Sequence, residues 1–217
     1  MKIINPGVEF YEDISKPEVA ESILKKIEYI GRSCYKSENQ ITADSAGRFV
    51  RRMISDGHEA MLEHASLSIK FIVDRGVSHE IVRHRMASFA QESTRYCNYS
   101  KDKFGNELTF IRPCFFNDEE QPEYRAWKET MKCAEDLYMA FMSYSVKPEE
   151  ARSILPNSLK TELWMTANMR EWRHFLKLRA AGVTGKPHPQ MAEVAIEVLK
   201  LMKTYLPDLF FDIPVLE

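Results

Sequence analysis

The sequence is poor in the residues that interrupt structure, with 8 glycines and 10 prolines among 217. That share is below the roughly 12% of ordinary proteins and excludes collagen-like, low-complexity and largely disordered chains. Cysteine is scarce as well. Cys34, Cys97, Cys114 and Cys133 stand far apart with no Cys-x-x-Cys pair, so neither a disulfide frame nor a thiolate zinc site is expected. No run approaches the roughly 18 apolar residues of a membrane span, and Met1 to Pro6 lacks the apolar stretch of a secretory signal. Charge of neither sign dominates. Thirty Lys and Arg against 32 Asp and Glu leave a net charge of −2, which removes the global electrostatic case for nucleic acid or an anionic membrane. Neither Gly-x-Gly-x-x-Gly nor a phosphate loop is present, and Gly182-Val183-Thr184-Gly185-Lys186 fails the loop's spacing.

What is there is a chain 44% hydrophobic and 29% charged, long enough for one large domain with its own core. A cytoplasmic protein is expected, with residues 1–217 forming a single domain. Val19, Ile23, Ile27 and Ile30 repeat at helical spacing after Ser15-Lys16-Pro17-Glu18, which has the form of a capping box. Thr42 is placed to cap a second helix that carries Phe49, Val50 and Met53 inward and closes at Gly57. Ala65 to Asp74 alternates apolar and polar with only Ile72 out of phase, and predicts a strand. Ser78 is read as the cap of a short helix, and Ser88 to Ser100 as a structured loop. Leu108 to Ile111 and Leu159 to Thr166 predict strands. Glu119 to Ser145 predicts a surface helix or subunit contact. Asn168 with Glu171 offers a cap and box for a helix to about Ala180, and Pro189 suits the first turn of the last long helix. The fold class is α+β, with helices around a modest, mainly antiparallel sheet.

Two candidate chemistries are weak. In His58-Glu59-Ala60-Met61-Leu62-Glu63-His64 the histidines lie six apart, on separate sides of an ideal helix, so no metal site is expected there or elsewhere. Cys97 has Arg95 nearby to favour a thiolate, but a lone cysteine is more often a small buried hydrophobe. Arg83 to Tyr96 is different. Three arginines and a histidine share that span with small and hydroxylic residues, and Glu92 is its one acid. Such a density of donors suits an anion or nucleotide, against a plain basic surface patch.

Arg83-His84-Arg85, seven residues, then Ser93 matches the Arg-His-Arg-x7-Ser signature of flavin-dependent thymidylate synthases, continued by Thr94-Arg95-Tyr96. The chain resembles that family on both sides of the signature. Gly57-His58-Glu59 with Glu63-His64 is similar to an upstream turn of the family. Ala151-Arg152, Leu155-Pro156, Asn168, Arg170 and Leu178-Arg179 resemble its second binding segment.

The resemblance implies a homotetramer with sites built between subunits. It implies methylation of dUMP to dTMP, with methylenetetrahydrofolate giving the carbon, FAD carrying the hydride and NADPH recharging the flavin. Arg83, His84, Arg85, Asn168 and Arg170 look like FAD contacts. Glu80, Arg83, Glu92, Ser93, Thr94, Arg95, Arg152 and Arg179 look like dUMP contacts. Arg179 resembles the arginine that favours ionisation at N3 of the uracil, and His58 a residue on the folate and nicotinamide side. Gln91 stands where many members have Glu, at both the flavin and the nucleotide, and His174 where many have Asn at the flavin; both can still hydrogen-bond. Ala60 replaces a common hydroxyl and Ala90 a common Asn. Arginines for the phosphate and hydroxyls for the imide agree with this chemistry. The alternatives are a non-catalytic flavin- and uridylate-binding protein and a nucleic-acid binder, the second disfavoured by the net charge of −2.

Overall fold

The computed structural model describes residues 1–116 and 118–215. The elements run β1 (Lys2–Ile4), β2 (Gly7–Phe10), α1 (Pro17–Tyr35), α2 (Ser45–Ser55), β3 (Ser66–Asp74), α3 (Arg75–Ile81), β4 (Ala87–Gln91), β5 (Thr109–Ile111), α4 (Pro122–Ser143), α5 (Pro148–Ala151), β6 (Lys160–Asn168), α6 (Met169–Arg179), α7 (Pro189–Tyr205) and α8 (Pro207–Phe210). This is an α+β fold in which helices dominate. Strands β1 and β5 pair in parallel, and the larger sheet has the order β2-β3-β6-β4. Strands β3 and β6 run antiparallel. Ser68 faces Thr166, with hydroxyls 2.8 Å apart, while the Arg75 N–H donates to the Leu159 carbonyl.

Two compact units divide the chain. The first comprises Met1–Gly7, Phe71–Arg83 and Ala90–Leu163. Its core is Tyr99, Leu108, Phe110, Met131, Tyr138, Ala151 and Leu159. Helix α4 supplies Met131 and Tyr138 to that core, so it is more than the surface helix its polar residues suggested. Glu135 is 4% exposed on the same helix and accepts the Leu108 N–H, a buried carboxylate that needs such a donor.

The second unit comprises Val8–Lys70, His84–Phe89 and Trp164–Glu217 as far as it is described. Its core includes Ile27, Val50, Leu62, Trp172, Phe175, Val198 and Phe210. Helices α1 and α2 approach closely at Gly31, where an added Cβ would lie 2.7 Å from the Phe49 ring. At the end of α2, Gly57 takes φ +75°, a left-handed turn that glycine adopts at little cost.

Four local expectations are corrected. The Ser15 hydroxyl donates to Asp13 and caps nothing, and α1 starts behind Lys16 with Pro17 in its first turn. Helix α2 begins after Asp44, with the Thr42 hydroxyl turned onto the Asp44 carboxylate. Helix α3 is capped by Asp74, whose Oδ1 accepts the Val77 N–H at 2.7 Å, and it ends before Arg83. The start of the loop expected from Ser88 to Ser100 instead belongs to edge strand β4, Ala87–Gln91, because backbone pairing needs no apolar alternation in the side chains.

Candidate active site

Within the first unit, α3 ends in a turn where the Arg83 N–H donates to the Glu80 carbonyl. The Gln91 amide donates to the hydroxyls of Ser78, at 2.9 Å, and Thr161, at 3.2 Å. Both hydroxyls are buried, so these bonds hold the amide in place. A carboxylate at position 91 could only accept from them; glutamine reverses the direction of those bonds.

The Glu92 carboxylate is engaged by the Tyr99 hydroxyl at 2.8 Å and by Lys160 at 2.9 Å. Burial first, then the Glu92 charge, push the Tyr99 phenol far upward, so it stays a neutral donor. Ser93 opens a tight turn whose carbonyl accepts the N–H groups of Tyr96 and Cys97. Thr94 is buried within that turn. Arg95 points outward, paired with Glu149 at 2.9 Å and over the Tyr96 ring at 5.3 Å. Arg152 is exposed on the turn after α5. Two exposed guanidiniums and a hydroxyl turn are a chemistry that receives a phosphate dianion.

Within the second unit, α6 organises a separate cleft of about 440 Å³, lined in part by Met86, Asn168, Arg170, Glu171, His174 and Lys177. Three-residue steps put Asn168, Glu171, His174 and Lys177 along one row of the helix. Asn168 caps α6 by accepting the Glu171 N–H at 2.9 Å, which leaves its amide N–H₂ as a donor. His84 is 6% exposed; its Nδ1 lies 3.2 Å from Glu171 and its Nε2 accepts from Arg179 Nε at 3.2 Å. Burial, then the charges of Arg179 and His174, push the His84 imidazole down to about 4, so the ring is neutral at physiological pH. Burial raises the Glu171 carboxyl, against a smaller opposing effect of His174. Arg85 is exposed in the turn beside His84.

The upstream turn is tied to α6 by two acid–arginine pairs. Glu63 meets Arg170 at 2.5 Å, and Glu59 meets Arg173 at 3.2 Å. Arg173 went unnoticed in the sequence, where nothing sets it apart from its arginine neighbours; it is 1% exposed and bridges Glu59 to Asp212. His58 lies elsewhere in this unit. Its Nδ1 is 2.7 Å from the Tyr35 hydroxyl, in a cleft of about 480 Å³ that also includes Phe49, Arg52 and Asp56.

Ligand-type atoms of His84, Glu171 and His174 lie within 4.8 Å of one another, a grouping that no contiguous sequence motif carries. The Arg179 guanidinium against His84 opposes a further cation there. The Asn168 amide, the His174 imidazole, Arg170 and Lys177 are donors in this cleft, and Glu59, Glu63 and Glu171 are acceptors, a mixed set that fits a hydrogen-bonding cofactor such as FAD. Cys97 is half-buried, and burial followed by the Glu92 charge raises its thiol, so it is no thiolate.

A family described as "thymidylate synthase complementing protein" matches residues 19–208. The flavin-dependent thymidylate synthase of Geobacter sulfurreducens is 30% identical over 90% of this chain and 82% of its own. That of Pyrococcus furiosus is 32% identical over 81% of this chain and 70% of its own. A solved structure of a UMP/dUMP methylase from Streptomyces cacaoi, bound with 5-bromo-dUMP, superposes with a TM-score of 0.72 at 20% identity. The match covers 97% of this chain and 96% of that one, and shows the shared fold. By the length of the family match and by its identity to these relatives, this chain belongs to the flavin-dependent thymidylate synthase family.

Proposed function

We propose that the chain performs the reaction of its family, the reductive methylation of dUMP to dTMP, with Arg179 as the group that acts on the pyrimidine. Methylenetetrahydrofolate gives the carbon and NADPH the reducing equivalents. The observation that carries this reading is the bond from Arg179 to His84, whose ring in turn lies against Glu171 and His174 of the α6 cleft. Arg85, Asn168, Arg170 and His174 supply neutral and cationic donors there and would hold the flavin, with His84, whose two nitrogens are taken by Glu171 and Arg179, behind them. FAD, when bound, supplies the hydride. Gln91 and Arg83 serve both ligands.

Arg95 and Arg152 neutralise the dUMP phosphate, with Ser93 and Thr94 as hydroxyl donors and Glu80 and Glu92 completing the nucleotide site. Arg179 stabilises negative charge at N3 of the uracil, which makes C5 the better nucleophile. A positioned cation of this kind acts where charge develops. His58, hydrogen-bonded to Tyr35, stands on the folate and nicotinamide side. The protein works in the cytoplasm as a homotetramer whose sites are completed between subunits. Among the described residues no helix is long and apolar enough to cross a membrane.

The test is anaerobic flavin oxidation in the purified protein, with and without dUMP and methylenetetrahydrofolate, followed by assay of dTMP. Oxidation that requires both substrates and yields dTMP supports the reading. A yellow protein that binds dUMP and forms no dTMP is a binding module and overturns it.

A further inference from the structure

Glu171, His84 and Arg179 form a hydrogen-bonded chain within one unit of the fold. The buried His84 ring uses both nitrogens, Nδ1 towards Glu171 Oε1 and Nε2 towards Arg179 Nε, each at 3.2 Å. A guanidinium only donates, so Nε2 must be the bare acceptor. The single proton of the neutral ring therefore sits on Nδ1 and points at the Glu171 carboxylate. Phe175 meets the ring edge-on at 4.8 Å between centroids, which fixes its plane. The Glu171 backbone is anchored at the start of α6, where its N–H donates to Asn168 Oδ1.

We propose that Glu171 is a positioning residue. By accepting the Nδ1 proton of His84 it holds the tautomer whose Nε2 grips Arg179, and so aims the terminal nitrogens of Arg179 at the pyrimidine. This rests on the role of Arg179 proposed above. Without the carboxylate, the tautomer with its proton on Nε2 becomes accessible. An Nε2–H would then face the Nε–H of Arg179, two donors with no acceptor between them, and the guanidinium would turn away. An arginine that loses this acceptor regains rotamer freedom that the reaction must then remove. The loss belongs to turnover, since dUMP keeps its phosphate contacts on other residues.

The experiment uses the full-length, flavin-loaded protein and four variants: Glu171→Ala, Glu171→Gln, Arg179→Ala, and Glu171→Ala combined with Arg179→Ala. The kcat and the KM for dUMP are measured with flavin content, and ¹⁵N-histidine NMR reads the His84 tautomer in the unaltered protein at neutral pH. Glu171→Ala is expected to lower kcat about tenfold to a hundredfold, the size expected when a reacting group is misplaced by about an ångström. Flavin content and KM should change by less than about threefold, and Glu171→Gln, whose amide oxygen still accepts, should restore most of kcat. In the double variant the loss should not exceed that of Arg179→Ala alone, because the two residues act through one interaction.

Losses that multiply in the double variant, an unchanged kcat in Glu171→Ala, or a proton on Nε2 in the unaltered protein would each overturn the proposal. If the alanine variant does not fold, the tautomer and the Glu171→Gln kinetics decide. Full turnover in Arg179→Ala would instead sink the role given to Arg179, while the tautomer still judges the Glu171–His84 link.

Discussion

Arg173 and Asp212 face each other in a two-pronged pair, Nη1 to Oδ1 at 2.8 Å and Nη2 to Oδ2 at 2.7 Å. Arg173 also reaches Glu59, so it joins the end of the chain's described part to the turn that precedes β3. Asp212→Ala would leave a guanidinium that is 1% exposed with Glu59 and the Leu209 carbonyl as its acceptors. The expected cost is about 1–3 kcal/mol, the range for a buried polar group that loses a partner. A urea midpoint equal to that of the parent would show that the pair contributes nothing. Burial raises the Asp212 carboxyl, but the hydrogen bonds and charge of Arg173, with Lys177, hold it on balance below 3.8. The contribution of the pair is therefore present above that value and lost as pH falls through the lowered one.

His84 gives a pH dependence at a different point. Its folded-state value of about 4 lies below the ordinary 6.5. The unfolded chain binds this proton first, so stability is full above 6.5, declines as pH falls toward about 4, and levels off below. Denaturant midpoints across that window should fall for the parent and fall less for His84→Asn. Equal slopes for both proteins would rule out His84 as the source.

Arg85 is exposed, so its removal should leave the fold intact. A hydrogen bond to a charged group is worth about 1.5–3 kcal/mol, so Arg85→Ala should weaken FAD about tenfold to a hundredfold. Flavin fluorescence titration reads this directly. Full flavin retention at low micromolar protein would refute the assignment.

Cys97 and Arg179 should behave in opposite ways. The Cys97 thiol is raised by burial and by Glu92, so Cys97→Ala is expected to cost some stability and keep turnover. Arg179→Ala should slow dTMP formation about 10²–10³-fold with flavin absorbance nearly unchanged. An inactive Cys97→Ala beside a fully active Arg179→Ala would overturn the mechanism.

Light scattering on a size-exclusion column should report a homotetramer of about 100 kDa, assembled from chains of 25.3 kDa. A stable monomer that is flavin-loaded and active would exclude sites completed between subunits.

The sequence by itself determined whatever repeats locally. Leu67, Ile69, Phe71 and Val73 alternate and become the buried face of β3, and Asn168 stands three residues before the N–H it caps. The resemblance to the family was legible from Arg83 to Ser93 and from Asn168 to Arg179, because each is a short string of donor side chains. Strand β4 escaped, since an edge strand held by backbone bonds needs no apolar alternation. Tertiary structure alone decided the partners. Glu59 and Arg173 lie 114 positions apart, His84 and Glu171 87, and His84 and Arg179 95. Helical and strand periods fix which side of an element a residue takes, over a few residues at most. Which distant carboxylate meets which ring nitrogen depends on how α6 packs, and with it the tautomer of His84 and the aim of Arg179.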